Sequence, residues 1–148
     1  MKSVFNPQDN QELIDRINQL TPTTQPQWGK MGVAQMLGHC QRAVEVGTGL
    51  LELRRTAMGF VFGRMALKQL INKPIGRNIP TDKNFIIPPS VDFETEKQKL
   101  IEMYTELPEK GHPHITNTKH PFFGEMTKEE WDTLLYKHLD HHLTQFGV

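Results

Sequence analysis

The feature that most constrains the fold is a strongly periodic stretch near the carboxyl end, residues 127–146. Large apolar side chains and histidines recur there at the three- and four-residue spacing of one helical face: Trp131, Leu134, Leu135, His138, His141, His142, Gln145 and Phe146. His138 and His142 are four residues apart, so their side chains lie one above the other. A helix of this kind buries its apolar face against other helices, and this one takes two imidazoles inward with it.

Two inward-facing imidazoles need partners for their ring nitrogens, because burying an unpaired polar atom costs free energy. A divalent metal ion meets that need, since it binds neutral imidazole nitrogen at about 2.0–2.1 Å. The alternative is that His138 and His142 are ordinary packing residues, because two histidines at this spacing also occur by chance. The pair therefore indicates a metal site without proving one.

Composition excludes several classes of protein. The 148 residues are near the size of one domain, and we expect a single domain over residues 1–148. Lys and Arg together number 17, as do Asp and Glu, so the formal net charge is zero. A neutral chain has no overall field to attract a nucleic acid or an anionic membrane, and we expect neither as a partner.

The remaining composition favours the cytoplasm. Cys40 is the only cysteine and has no partner within the chain for a disulfide, and the start Met1–Phe5 lacks the apolar core of a secretion signal. The most apolar internal run, residues 57–67, is broken by Gly59 and Gly63. It is also shorter than the roughly 20 residues that cross a bilayer.

Apolar periodicity predicts an all-α fold. Helices are expected at about residues 7–20, 28–47, 54–71, 92–107 and 127–146. Asn6 before Pro7 predicts the first helix start, and Thr127 with Glu130 has the spacing of a capping box. The methionines, Met58 and Met65 among them, are expected to fill the core. The proline-rich residues 72–90 predict an ordered connection lying across the bundle.

A third metal ligand has to come from another helix, because a catalytic zinc-type site normally has three protein ligands. His39 lies in the middle of the second predicted helix, on the same stripe as Gln35 and Met36. Contact between that helix and the last one would bring His39 to the pair. The alternative is that His39, like most single histidines in amphipathic helices, only packs.

The other histidines and the cysteine are expected to lie outside the ligand set. His141 points about 100° away from His142 around the helix, which favours a supporting position at the rim. Cys40 is turned off the face of His39 and is expected to be a small buried apolar residue. His112, His114 and His120 lie in proline-rich loops, where turn and surface roles are favoured. The loop of His120 precedes the last helix and is positioned to fold over the site.

These residues resemble the DinB/YfiT-like superfamily of small four-helix-bundle metalloproteins, and within it a branch of unknown function. The resemblance covers nearly the whole chain. It rests on Met36–Cys40, on His138, His141 and His142 followed by Gln145, and on Trp28–Met31, Ile79–Thr81, His120–Gly124 and Glu130–Leu143. It implies a DinB-like four-helix bundle with an additional short helix and long proline-containing connections.

The resemblance also implies a site and a chemistry. It makes His39, His138 and His142 the metal ligands, with His141 outside the coordination shell. It implies a divalent ion, zinc or nickel in the first place, and it implies a homodimer. In characterised members of the superfamily the metal serves thiol chemistry, in which a low-molecular-weight thiol is transferred to an electrophile or used in an isomerisation.

Two functions of different class follow as hypotheses. The first is a metal-dependent enzyme that transfers a small thiol to an electrophile, with Gln35, His120, Tyr136 and Gln145 as supporting or substrate-binding groups. Hydrolysis ranks lower, because no glutamate adjoins the histidines as H-E-x-x-H would require. The second is a non-catalytic helical scaffold that binds a metal or a ligand. A stress-linked regulator is a third reading, which needs a partner surface.

Overall fold

The structure is a computed structural model that describes residues 2–80 and 82–148. Met1, and Thr81 of the Ile79–Thr81 motif, lie outside the described residues. The described residues form five α-helices: α1 (Pro7–Gln19), α2 (Val33–Gly47), α3 (Ala57–Asn72), α4 (Phe93–Lys110) and α5 (Lys128–Gln145). Short 3₁₀ turns at Lys83–Phe85 and His112–His114 and a two-residue hairpin of β1 (Lys119–His120) and β2 (Gly124–Glu125) complete them. The all-α prediction is confirmed.

Helices α1, α2, α4 and α5 pack against one another and enclose the core. Trp131 of α5 and Tyr104 of α4 are the largest fully buried side chains. The Tyr104 hydroxyl donates to the carbonyl oxygen of Leu135 at 3.1 Å, which satisfies a polar atom that burial would otherwise leave unpaired. Helix α3 is not a fifth member of this bundle, because it packs on α5 and on β2 instead. At 16 residues it is close to the helix predicted over about residues 54–71.

Two of the predicted helix starts are confirmed by their caps. The Asn6 side chain accepts from the backbone N–H groups of Gln8 and Asp9 at the start of α1. Thr127 and Glu130 form the predicted capping box, in which each side chain accepts from the other residue's backbone N–H. The capping box at Thr127 fixes the residue at which α5 begins, and therefore which face of α5 carries its histidines.

The predicted end of α4 at Leu107 is wrong, because the helix continues through Pro108 to Lys110. A proline in the last turn removes only one backbone hydrogen bond, so the helix can run past it. Gly111, with φ of +63°, then ends the helix, and its N–H bonds the carbonyl of Leu107. Glycine adopts that left-handed conformation readily.

The predicted start of α2 at residue 28 is also wrong, because the helix begins at Val33. Gly29 has φ of +80°, which is not helical, and residues 28–32 instead form a loop around the end of α5. A Cβ at Gly29 would lie 2.9 Å from the side-chain nitrogen of Gln145. That nitrogen donates to the Trp28 carbonyl at 2.8 Å, so tertiary contact with α5 decides the local conformation.

The expectation that Met58 and Met65 fill the core is wrong, since their side chains are 61% and 66% exposed. Helix α3 instead turns Gly59 and Gly63 inward. A Cβ at either glycine would come within 2.4 Å of the carbonyl oxygen of Phe122, so only glycine permits this close approach. No helix within the described residues is both long and apolar enough to cross a bilayer.

The proline-rich connection lies across the bundle as predicted. Within it, the side chains of Phe85 and Ile87 are buried, whereas Ile86 between them is exposed. The Gln35 side chain holds the segment to α2, because its nitrogen donates to the Ile87 carbonyl at 2.7 Å. Its oxygen accepts from the Gly32 N–H at the start of α2. The connection is therefore fixed to the first turn of α2.

A candidate metal centre of three histidines

Helices α2 and α5 bring His39, His138 and His142 into one cluster. The ring centroids form a triangle with sides of 4.8 Å. His39 and His142 are buried, with 6% and 9% exposure, and His138 is partly exposed. The crossing of α2 and α5 expected from the sequence therefore exists, and the three side chains are close enough to bind a metal ion.

Hydrogen bonds fix the tautomers of two of the rings. Nδ1 of His39 donates to the Phe85 carbonyl at 3.1 Å, since a carbonyl oxygen only accepts. Nδ1 of His142 faces the side-chain oxygen of Gln145 at 2.8 Å. The amide nitrogen of Gln145 donates to the Trp28 carbonyl, which identifies the other amide atom as the accepting oxygen. His39 and His142 therefore carry their protons on Nδ1 and a lone pair on Nε2.

The third ring completes a set of donors suited to a cation. Nε2 of His138 lies 2.9 Å from Nε2 of His39, and the ligand atoms of the three residues all lie within 4.8 Å of one another. Two nitrogens bound at 2.0–2.1 Å in a tetrahedral site are separated by about 3.3 Å, so the spacing fits a single ion. Nδ1 of His138 is buried and has no hydrogen-bond partner among the described residues.

Burial keeps the cluster in the neutral form that binds metal. It lowers the pKa of His39, and the hydrogen bond to Phe85 opposes that shift. Burial, followed by the neighbouring His142 and His39, lowers the pKa of His138 well below its usual range. The pKa of His142 falls to about 3, again mainly through burial. The described residues add no carboxylate or thiol to the group.

His120 lies beside the cluster at the end of β1, where the turn to β2 begins. Its Nδ1 accepts from the backbone N–H groups of Phe122 and Phe123 at 3.1 and 3.2 Å, which leaves its proton on Nε2. The turn role expected for His120 is confirmed, but the ring is partly buried. Burial lowers its pKa to about 4, against the opposing effect of Asp82.

The ring of His120 is 6.3 Å from that of Phe85, whose ring is 6.1 Å from that of His39. It also contacts Phe123 and Trp131, at 4.6 and 5.4 Å between centroids. The aromatic rings of Phe85, Phe123 and Trp131 therefore surround His120 on the side of the cluster that faces the β1–β2 turn.

The structure distributes the other predicted site residues around the cluster. Gln145 forms a hydrogen bond with His142. Gln35 donates to the Ile87 carbonyl of the connection, and the connection in turn contacts His39 through the Phe85 carbonyl. The ring of His141 is 5.3 Å from that of His142 and 5.7 Å from that of Trp28, so it lies at the rim.

Tyr136 does not join the cluster, and its inclusion is corrected. The residue is about 200° around α5 from His138, where its hydroxyl interacts with Lys2. Cys40 is fully buried, as expected, and burial raises the pKa of its thiol.

Sequence reasoning missed the main-chain groups that orient the ligands. The carbonyls of Phe85 and Trp28 fix His39 directly and His142 through Gln145. A backbone carbonyl carries no residue-specific signal, so only the contact itself reveals it.

Comparison with known proteins gives a family and no activity. No curated protein and no solved structure matches the chain. One family model matches residues 4–147, a span that includes the three histidines and Gln145. The chain therefore belongs to the family described as Protein of unknown function (DUF1569).

Proposed function

We propose that this protein binds one divalent metal ion, zinc or nickel, through Nε2 of His39, His138 and His142. The observation that carries the proposal is the pair of fixed tautomers. Because Phe85 and Gln145 hold the protons of His39 and His142 on Nδ1, the Nε2 lone pairs of both rings face the cluster. His138 has a single proton and can offer it from Nε2 to only one of them. A cation uses all three lone pairs at once.

The proposed chemistry is transfer of a low-molecular-weight thiol to a small electrophile. The support is the resemblance of Met36–Cys40 and of the His138–His142 stretch to the DinB/YfiT-like superfamily. Three protein ligands also leave room for a further ligand. When bound there, a divalent ion lowers the pKa of a coordinated thiol, so that the nucleophilic thiolate is present at neutral pH.

The reaction is a nucleophilic substitution and needs no oxidant or reductant. The sulfur forms a bond to the electrophilic carbon, the bond from that carbon to the leaving group breaks, and the leaving group departs with the electron pair. The thiol proton passes to solvent. Hydrolysis is less well supported, because the cluster includes no carboxylate to act as a general base.

The surrounding residues orient the metal ligands and shield the site from water. Gln145 and Phe85 hold two ligands in orientation, and the aromatic rings of Phe85 and Phe123 limit access of water. His120 offers an N–H on Nε2 and is not a base, because its Nδ1 lone pair is taken by two backbone N–H groups. We assign His120 the role of a hydrogen-bond donor to the bound substrate.

A non-catalytic metal- or ligand-binding scaffold is the second candidate. It is favoured by the burial of His39 and His142, because structural metal sites are closed to solvent. It differs from the enzyme in one measurable respect, since a purely structural ion does not exchange a ligand for an added thiol.

Cobalt substitution separates the two candidates. Wild-type protein and His141→Gln, which alters a rim histidine, are loaded with cobalt and titrated with cysteine and with glutathione. The enzyme predicts a new thiolate-to-cobalt charge-transfer absorption in both proteins and metal-dependent turnover of a chromogenic electrophile. An unchanged spectrum with cobalt bound favours the scaffold. Failure of wild type to bind cobalt at all contradicts the metal site itself.

A further inference from the structure

A cavity of about 280 Å³ lies beside α5, next to the metal centre. We call it the Arg77 cavity, and the side chains that line it include Trp28, Pro74, Arg77, Lys137, Asp140 and His141. On α5, Lys137 and His141 lie on the same side of His138. Of the three proposed ligands, His138 is the one that is not buried. The Arg77 cavity therefore borders the side of the metal centre that solvent reaches.

Lys137 lines the Arg77 cavity but binds the carboxyl end of α3. Its Nζ donates to the carbonyls of Leu70, Ile71 and Lys73 at 2.6, 3.0 and 2.9 Å. An ammonium group has three N–H donors, so all of them are used. The ammonium also places a positive charge at the negative end of the helix macrodipole. Lys137 therefore fixes the end of α3 to α5, and with it the segment that begins at Pro74.

Asp140, on the opposite edge of the same cavity, is paired with Arg16 of α1. The Arg16 guanidinium donates to Oδ1 of Asp140 at 2.6 Å and to the Asp140 carbonyl oxygen at 3.3 Å. Among the described residues the lining has no other carboxylate. The negative charge in the lining is thus offset from outside the cavity, and the positive charge of Arg77 is not.

Arg77 differs from both, because it contacts an aromatic ring instead of an oxygen. Its Cζ lies over the Trp28 ring, 4.1 Å from the centroid. No oxygen among the described residues accepts a hydrogen bond from its guanidinium, which keeps its N–H donors for an acceptor from outside the chain. Contact with the indole restrains the guanidinium, so less entropy is lost when a ligand binds to it.

The Trp28 ring connects Arg77 to the metal centre. Its centroid is 5.7 Å from that of His141, whose ring is 5.3 Å from that of His142. The Trp28 carbonyl is also the acceptor that orients Gln145, which in turn bonds His142. The residue that carries Arg77 on its ring is therefore the residue whose main chain orients a metal ligand.

The turn that carries Arg77 packs on the loop that contains Trp28. A Cβ at Gly29 would lie 3.8 Å from Oδ1 of Asn78, the residue after Arg77. Asn78 has φ of +57°, in the left-handed region where asparagine is enriched several-fold. Main-chain packing on both sides therefore maintains the contact between Arg77 and Trp28.

We propose that the Arg77 cavity is a carboxylate-binding subsite of the metal centre. Arg77 binds a carboxylate of the small thiol whose sulfur occupies the metal, so the substrate class is an acidic low-molecular-weight thiol. That the ligand is a thiol rests on the proposed function, whereas the carboxylate subsite does not.

The size of the cavity and the chemistry of arginine support this assignment. A volume of about 280 Å³ is just below the usual range for a complete small-molecule site, so it suits one end of a ligand. A guanidinium binds a carboxylate through two parallel hydrogen bonds, which orient the ligand and add affinity. Phosphate makes the same contact with arginine, and the second test below separates the two anions.

The first test measures thiol binding to the cobalt-substituted full chain through the thiolate-to-cobalt absorption. Glutathione, which has free carboxylates, is compared with its diethyl ester, which has none. Wild type is expected to bind glutathione at least about fivefold more tightly than the ester. Arg77→Gln is expected to lose that preference and to bind the ester as wild type does. Arg77→Lys is expected to recover part of it, because lysine retains the charge but not the planar fork.

Arg54→Gln is the matched control, because Arg54 is an exposed arginine that precedes the opposite end of α3. It is expected to keep the wild-type preference, which excludes a general effect of removing one positive charge. A wild type that binds glutathione and the ester equally overturns the carboxylate subsite and leaves the thiol chemistry intact. An Arg77→Gln protein that retains the preference does the same.

The second test needs neither a thiol nor a metal. The chain has two tryptophans, so a nitrogen–proton correlation spectrum of the metal-free protein has two indole signals, which Trp28→Phe assigns. S-methylglutathione retains the carboxylates and has no thiol. At millimolar concentration it is expected to shift the Trp28 signal and not that of the fully buried Trp131. Arg77→Gln is expected to abolish the shift.

The two tests distinguish the failure of the subsite from the failure of the proposed function. If no thiol binds cobalt and the Arg77-dependent shift of Trp28 is seen, the thiol chemistry fails and the carboxylate subsite is supported. An unshifted Trp28 signal overturns the subsite. A shift that inorganic phosphate produces as strongly as S-methylglutathione also overturns it, because the cavity then binds anions without preference for a carboxylate.

Discussion

Nε2 of His39 lies 2.9 Å from Nε2 of His138, although 99 residues separate them in sequence. Two ring nitrogens approach this closely only when a proton or a cation lies between their lone pairs. In the metal-free protein the proton comes from His138, and its buried Nδ1 is then left as an unpaired acceptor. A metal ion bound to the three Nε2 atoms would accept all three lone pairs at once, and the His138 proton would then lie on Nδ1.

Gln145 is expected to strengthen metal binding through its hydrogen bond to His142. Gln145→Ala removes the acceptor that keeps the His142 proton on Nδ1. Loss of such a supporting contact typically weakens metal affinity by about 10- to 100-fold. The affinity is measured by zinc titration against a competing chelator.

Two further variants make the Gln145 prediction specific. Gln145→Glu retains an acceptor for His142 and is expected to recover most of the lost affinity. Gln98→Ala, at an exposed glutamine on α4 that donates to Glu102, is expected to bind zinc as wild type does. Equal affinities for Gln145→Ala and wild type would show that the contact does not support the site.

The metal-free protein is expected to lose stability on mild acidification. The pKa values of His142 and His120 are about 3 and about 4, below the ordinary 6.5. Below pH 6.5 the unfolded chain therefore takes up protons that the folded chain does not, so stability is full above that pH and falls as the pH falls toward the folded values. The slope reaches about 1.4 kcal/mol per pH unit for each histidine.

The window between pH 7 and pH 5 isolates this effect, because most carboxylates titrate at lower pH. Urea denaturation in the presence of a chelator gives the free energy of unfolding at each pH. His142→Gln keeps a polar side chain but no titrating ring, so its profile is expected to be shallower than that of wild type. A wild-type profile that is flat over this window would contradict the burial of neutral histidines.

Gly63 is expected to be intolerant of the smallest possible side chain. Alanine in a helix normally stabilises it by about 1 kcal/mol over glycine. Here the added Cβ would lie 2.2 Å from the carbonyl oxygen of Phe122, so Gly63→Ala is expected to lower the free energy of unfolding by about 1–3 kcal/mol. Gly76→Ala is the control, since its Cβ would meet only Ile79 at 3.5 Å, and a change within about 0.5 kcal/mol is expected. A stabilised Gly63→Ala would show that α3 is not docked closely on this turn.

The helices and two of the predicted ligands were accessible from sequence because the signals are local. The periodicity of α5 places His138 and His142 on its inward face, and the capping box at Thr127 fixes where that periodicity begins. Proline and glycine located the connection between α3 and α4 in the same way. Each of these features depends on residues within a few turns of one another.

The errors arose where a distant segment decides the local structure. The start of α2 depends on Gln145, which holds the Trp28 loop, and nothing within residues 28–32 encodes that contact. The inner face of α3 was misjudged because large apolar residues normally turn inward. A close approach to the Phe122 carbonyl requires Gly59 and Gly63 there instead, which leaves Met58 and Met65 outside.

The third ligand was predictable only in part. Its position in α2 was evident, but the convergence of His39 with α5 depends on how two helices cross. The carbonyl of Phe85 that orients His39 belongs to a segment more than forty residues away, as the hydrogen bond shows. Sequence periodicity therefore identified His39 as a candidate ligand, and the packing of α2 on α5 brings its ring to those of His138 and His142.

The most direct test of the metal site is elemental analysis of gently purified wild type beside His138→Ala and His141→Ala. His141 is the matched control, because it adjoins His142 and lies at the rim of the cluster. The account predicts about one divalent ion per chain in wild type and in His141→Ala, and less than about a tenth of that in His138→Ala. The same metal content in all three proteins, or none in wild type even after incubation with zinc and nickel, would contradict it.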